Sequence, residues 1–146
     1  MINSTMNIAL SGMRVGAMRA NVAAQNIANV NNASRPQQAE PARQIQQAAP
    51  RPAEEPGYRP QALDQSSTAG GGVTGTVRTR VPGVFEAFQP NHPEAGPKGN
   101  VAYPDVNMAE EAMNLKQAER AYAFGAEVVR TAEDMSRSLL DATRPD

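Results

Sequence analysis

Residues 105–141 read DVNMAEEAMNLKQAERAYAFGAEVVRTAEDMSRSLLD, a run without a single proline, and this run limits what the rest of the chain can be. Asn107 stands where an N-cap belongs, and Glu110 follows three residues later, placed to reach back in a capping box. Glu110 and Glu111 crowd the first turn, where the positive end of a helix dipole favours carboxylates. Counting in sevens gives Met108, Leu115, Tyr122, Val129 and Ser136, and three positions further on Glu111, Ala118, Gly125, Ala132 and Leu139. Between its two ends this is an apolar seam with small residues along one side. A second apolar line, Ala121, Phe124, Val128 and Met135, widens the face. At 1.5 Å per residue such a helix extends roughly 50 Å. A chain this size has little bulk to cover that length, so the face needs another long helix or another chain.

The sequence supplies a second helix at its other end. Residues 1–30 also lack proline, and Met6, Met13, Ala20 and Ile27 fall seven apart. Ala9, Gly16, Ala23 and Val30 follow each of them by three, with Leu10, Ala17 and Ala24 directly after. The small residues of this second line let helices approach closely, yet each buries little area at about 25 cal/mol per Å². The polar face carries Asn3, Asn7, Asn21, Gln25, Asn26 and Asn29 in place of the Lys/Glu pairs of a solvated helix. Such a face suits packing among neighbouring chains, and water can also cover it at little cost.

Between the helices the composition changes abruptly. Residues 33–65 hold six Pro and seven Gln, with Ile45, Tyr58 and Leu63 the large side chains. That content cannot offset its ordering entropy and predicts a flexible linker over residues 32–72, closed by the turn Gly70-Gly71-Gly72. From Val73 a two-residue period (Val73, Gly75, Val77, Thr79, Val81) predicts a strand. Val84–Phe88 after the Pro82-Gly83 turn, and Asn100–Tyr103 after a Pro- and Gly-punctuated loop, predict two more. The expected architecture is therefore mainly α with a small β part. It has an N-terminal helix over 1–31, a linker over 32–72, three short strands in one small sheet over 73–104, and a C-terminal helix over 105–146. The two long helices pair as a coiled-coil-like layer.

Chemistry has few candidates. His92 is the lone histidine and sits in a Pro-flanked turn, without the carboxylate or thiol partners of a ligand set. Gly70–Gly75 lacks the Lys-Ser/Thr of a P-loop and the helix that would follow it. Ser4 and Ser11 have no histidine beside them, and Glu110, Glu111, Glu119 and Glu133 read as capping or solvated charges. The methionines at helical spacing read as seam packing. No cofactor, metal or catalytic residue is expected. Cysteine is absent, which removes disulfides and thiolate metal sites. A net charge of −1 gives no electrostatic case for nucleic acid or an anionic membrane, and no apolar run reaches the roughly 18 residues of a spanning helix. There is no basic residue before Arg14 and no small-residue cleavage site after a compact apolar core, so no cleaved signal is expected.

Both ends carry a resemblance. The string Asn7-Ile8-Ala9-Leu10-Ser11-Gly12-Met13, followed by Asn21-Val22-Ala23-Ala24-Gln25-Asn26-Ile27-Ala28-Asn29-Val30-Asn31, resembles the signature of bacterial flagellar axial proteins. Tyr103-Pro104-Asp105-Val106-Asn107-Met108-Ala109-Glu110-Glu111, with Ala118-Glu119-Arg120-Ala121-Tyr122 and Thr131-Ala132, resembles their tail. The loop Pro90–Ala95 and the short length are similar to the proximal-rod members of that family. The resemblance implies a basal-body rod subunit that assembles with itself and with other rod subunits. It also implies passage through the flagellar export apparatus without a cleaved signal, and residence in the periplasmic rod. The assembly interface is then expected on Met6, Met13, Ala20, Ile27, Leu115, Tyr122, Val129 and Leu139. Two other readings compete: another axial component, such as a different rod or hook-junction protein, and a soluble helical adaptor that binds a partner through its C-terminal helix.

Overall fold

The computed structural model describes residues 2–36 and 57–143. Its elements are α1 (Ile2–Ala28), β1 (Gln61–Ser67), β2 (Val73–Thr79), β3 (Val84–Phe88), β4 (Asn100–Pro104) and α2 (Met108–Ala142). The mainly helical architecture with a small β part is as expected from the two proline-free ends. Most of the expected linker, residues 37–56, lies outside the described residues.

Two expectations are corrected. Residues 61–67, assigned to the linker, form β1, so the described residues hold four strands in place of three. The strands also make two separate two-stranded sheets, β1 with β2 and β3 with β4, in place of one. The reason for the first lies in tertiary context. The sequence Gln-Ala-Leu-Asp-Gln-Ser-Ser has weak strand propensity, but it pairs with β2, and Asp64 forms an ion pair with Arg78 across that pair. The turn at 68–72 that joins these strands is too short for a parallel crossover. Gly71 and Gly72 both take positive φ (80° and 91°) within it. A side chain at Gly72 would also meet Ser11 Oγ, so both conformation and space demand glycine there.

The described residues fall into two compact units. The first contains α1 through Ile27, residues 61–78 and residues 107–143. Its core is thin and made of small side chains: Ala9, Val15, Val22 and Ala23 from α1, with Ala118 and Ala132 from α2. β2 is fastened to α1 where the Val73 amide donates to Ser11 Oγ (3.0 Å), while that hydroxyl donates to the Ile8 carbonyl (2.7 Å). α2 begins as its sequence indicates. Asn107 Oδ1 accepts from the amides of Ala109 (3.0 Å) and Glu110 (3.3 Å), satisfying two of the orphan donors of the first turn. Asn107→Ala is expected to lower stability by about 1 kcal/mol, visible as a lower thermal midpoint of the helical circular dichroism signal.

The second unit is built on the antiparallel β3–β4 pair, in a register that sets Val84 opposite Pro104 and Phe88 opposite Asn100. Ser34 adds a third backbone segment: its amide donates to the Ala102 carbonyl (2.9 Å), and the Ala102 amide donates back to the Ser34 carbonyl (2.8 Å). Val101 and Ala102 are buried at the centre. Phe85 and Tyr103, opposite each other, stack with ring centroids 5.9 Å apart. His92 meets the Tyr103 ring edge-on and accepts at Nδ1 from the Glu94 amide (3.1 Å). Tyr103 in turn donates its hydroxyl proton to Gln89 Oε1 (2.9 Å). The lone histidine thus closes a loop.

Candidate assembly interface

The features of the first unit that bear on function lie along the meeting of α1 and α2. Gly16 of α1 lies against α2 so closely that a Cβ there would stand 3.3 Å from the Ala118 carbonyl oxygen and 3.5 Å from Ala121 Cβ. Gly125 of α2 lies against α1 in the same way, with Ala9 O 3.2 Å from where its Cβ would be and Met13 closer still. Further along, Arg19 Nη1 donates to Gln117 Oε1 (3.2 Å) and Asn26 meets Glu111. Position 9 faces 125, 16 faces 118 and 26 faces 111, so the helices run antiparallel. The buried residues of α2 are Glu111, Ala118, Gly125 and Ala132, which recur every seven positions.

One end of this seam is polar and fully enclosed. Asn26 is 0% exposed and Glu111 1% exposed. Asn26 Nδ2 donates to Glu111 Oε1 (2.8 Å) and to the Gln61 carbonyl (2.9 Å), while the Gln61 amide donates to Asn26 Oδ1 (2.9 Å). Asn114 Nδ2 donates to the second carboxylate oxygen of Glu111 (3.0 Å). α1, β1 and α2 therefore meet at one cluster. A buried carboxylate persists only when hydrogen-bonded in this manner. The structure departs from the sequence expectation at both: Asn26, expected on the polar face, and Glu111, expected as a capping or solvated charge, are enclosed together between the helices. The available signal was Glu111's place on the heptad line with Ala118, Gly125 and Ala132.

On either side of the seam apolar surface stays open. Gly16, Ala17, Ala20, Leu115, Ala118, Glu119, Tyr122 and Ala123 line a groove of about 570 Å³ between the helices. On the other flank Phe124, Val128, Met135 and Leu139, at positions i, i+4, i+11 and i+15, form an exposed stripe, with Phe124 73% exposed. An apolar stripe of this length is unusual on a chain that works alone. At the groove's rim the Lys116 ammonium donates to Glu119 Oε2 (3.0 Å). That hydrogen bond, then the Lys116 charge, holds the Glu119 carboxyl below the ordinary range, with a smaller lowering from Arg120. Its small effect is present at neutral pH and is lost as pH falls through the lowered value.

The expected interface residues divide into three groups. Ala20, Leu115 and Tyr122 come together in the groove. Met6, Met13, Ile27 and Val129 are half-buried on their helices, with Met13 packed at Gly125. Leu139 is exposed and belongs to the outer stripe. Among the described residues no cluster of three or more His, Asp or Glu could hold a metal ion, and no helix is long and apolar enough to cross a membrane.

Comparison with known proteins adds to this geometry. Residues 98–142, which take in β4 and α2, match the family described as flagellar basal body rod FlgEFG protein C-terminal. Over nearly the whole length the chain is similar to the flagellar basal-body rod protein FlgC of Borreliella burgdorferi, at 31% identity with 94% of each chain covered. It is 28% identical to the protein of the same name from Escherichia coli O6:H1, with 92% of each covered. The corresponding figure for Agrobacterium fabrum is 26%, covering 96% of this chain and 94% of the relative.

Proposed function

The chain belongs to the family of flagellar basal-body rod proteins that carry the name FlgC, and on that premise we propose that it is a structural subunit of the rod, polymerising through its terminal helices and transmitting torque. It is not an enzyme. Its work is done by packing, in the bacterial flagellar basal body and in contact with other rod components and with copies of itself. The observation that carries the reading is the similarity to FlgC over 94% of the chain, which reaches into both helices. The apolar stripe and groove flanking the α1–α2 seam support it, since neighbouring subunits would supply the burial that one chain lacks. A heterologous, non-closing contact made through such surfaces builds a tube. The subunit reaches its place through the flagellar export apparatus, without a cleaved signal.

The experiment is to tag the chain, purify hook–basal bodies from swimming cells, and locate the tag by immunogold labelling. Label on the rod between the membrane rings is expected. A chain recovered only as a free monomer or closed dimer, with unlabelled basal bodies, would favour the adaptor.

A further inference from the structure

We infer that Asn26 and Glu111 set the register in which the two terminal helices pair, a decision that the apolar seam leaves largely open. The seam repeats itself every seven residues with side chains of nearly one size: Ala9, Gly16 and Ala23 on α1, Ala118, Gly125 and Ala132 on α2. If α2 slides by seven residues, about 10 Å, Gly125 takes the place of Ala118 beside Gly16, and Ala132 takes the place of Gly125. Along this line small residue replaces small residue. Two side chains resist: a Cβ in place of Gly125 would press on Met13, whose unbranched chain can turn aside, and Val128 would stand where Ala121 meets Gly16.

The polar end behaves differently. In the slipped pairing Ala118 arrives opposite Asn26, and the bond from Asn26 Nδ2 to Glu111 Oε1 is lost. Sliding the other way carries the Glu111 carboxylate to the place of Ala118, beside Gly16, away from Asn26; Asn114, on the same helix, travels with it. Either slip breaks the hydrogen bond between two groups that are fully enclosed in the native pairing. A buried polar pair adds little to stability compared with an apolar pair of like size, but it penalises the wrong pairing, and a single such residue is known to fix register in helical pairs. The same Asn26 amide also holds both the amide and the carbonyl of Gln61, so β1 is placed by the pairing it selects. This inference concerns one chain's own folding and does not depend on the rod reading.

The absence of cysteine makes a direct test possible. In the native register a Cβ at Gly16 lies 3.5 Å from Ala121 Cβ, within disulfide reach. Gly16→Cys with Ala121→Cys reports the native pairing, and Gly16→Cys with Val128→Cys reports the slip. The purified full-length chain is oxidised slowly, and the yields of the two disulfides are compared. In a chain without helix pairing the ratio is near one, because the two loops differ little in length. With Asn26 and Glu111 in place the native disulfide is expected in at least about tenfold excess. With Asn26→Leu and Glu111→Leu together the ratio falls about tenfold or more while helical circular dichroism is kept. Glu111→Gln falls less, since its amide oxygen can still accept from Asn26. An unchanged ratio in the double variant overturns the inference. So does a parent chain with no preference, or a ratio that falls only together with the helical signal, which would make the pair a general stabiliser.

Discussion

Gly125→Leu is expected to separate the two helices and abolish swimming. The native side of the argument is steric: the Cβ alone would collide with the Met13 side chain and stand 3.2 Å from the Ala9 carbonyl oxygen. Met13 can move, but the α1 backbone at Ala9 cannot yield without opening the seam. Overpacking of a close-packed contact costs about 1–3 kcal/mol and more where backbone must shift. The first unit has little to set against that, because its buried side chains are mainly alanine and valine and each contributes little apolar area. Circular dichroism at increasing temperature and swimming in soft agar measure the two effects. The control is Gly12→Ala. Nothing lies within 4 Å of a Cβ at Gly12, so the helix gains about 1 kcal/mol from the better helix former. If Gly125→Leu melts and swims like the parent chain, the close approach of α1 and α2 is not what holds this unit together.

The same contrast explains what could be read from the sequence. Both helices were legible because a seven-residue period and the absence of proline act over many residues, and Asn107 marked the start of α2 by a purely local rule. β3 and β4 were legible from their flanking turns. β1 was not, because nothing in Gln61–Ser67 favours a strand by itself: pairing with β2, the ion pair to its Arg78, and the distant Asn26 hold it. The buried role of Glu111 is hidden from local rules for a related reason. A glutamate in a first turn has a sufficient local explanation in the helix dipole, which hid its second role in the seam. Its partner Asn26 gave no signal by type alone, since the helix is rich in asparagine. What distinguishes it is full burial, which belongs to the folded pair and not to the residue.

Tyr122→Asp is expected to leave the single chain as stable as before and to stop assembly, and that separation is its value. Tyr122 is 51% exposed at the edge of the groove, with Leu115 and Ala20 among its neighbours. An exchange on so open a site shifts the stability of one chain by about 0.5 kcal/mol or less. Within the rod the proposed packing would cover this groove with a neighbouring subunit. The new carboxylate would then be taken out of water beside the Glu119 carboxylate, whose nearest cation, Lys116, is already engaged with it. Burying a charge without a partner costs several kcal/mol at each contact. In the proposed polymer each subunit would make that contact, so the loss would recur along the assembly. Tyr122→Phe, which keeps the ring and removes the hydroxyl, is expected to swim normally. The measurements are the thermal midpoint of the purified chain, the yield of hook–basal bodies, and the swimming radius. Normal swimming by Tyr122→Asp would show that the groove faces water in the rod, and the exposed stripe through Phe124 and Leu139 would then be the remaining surface for neighbours.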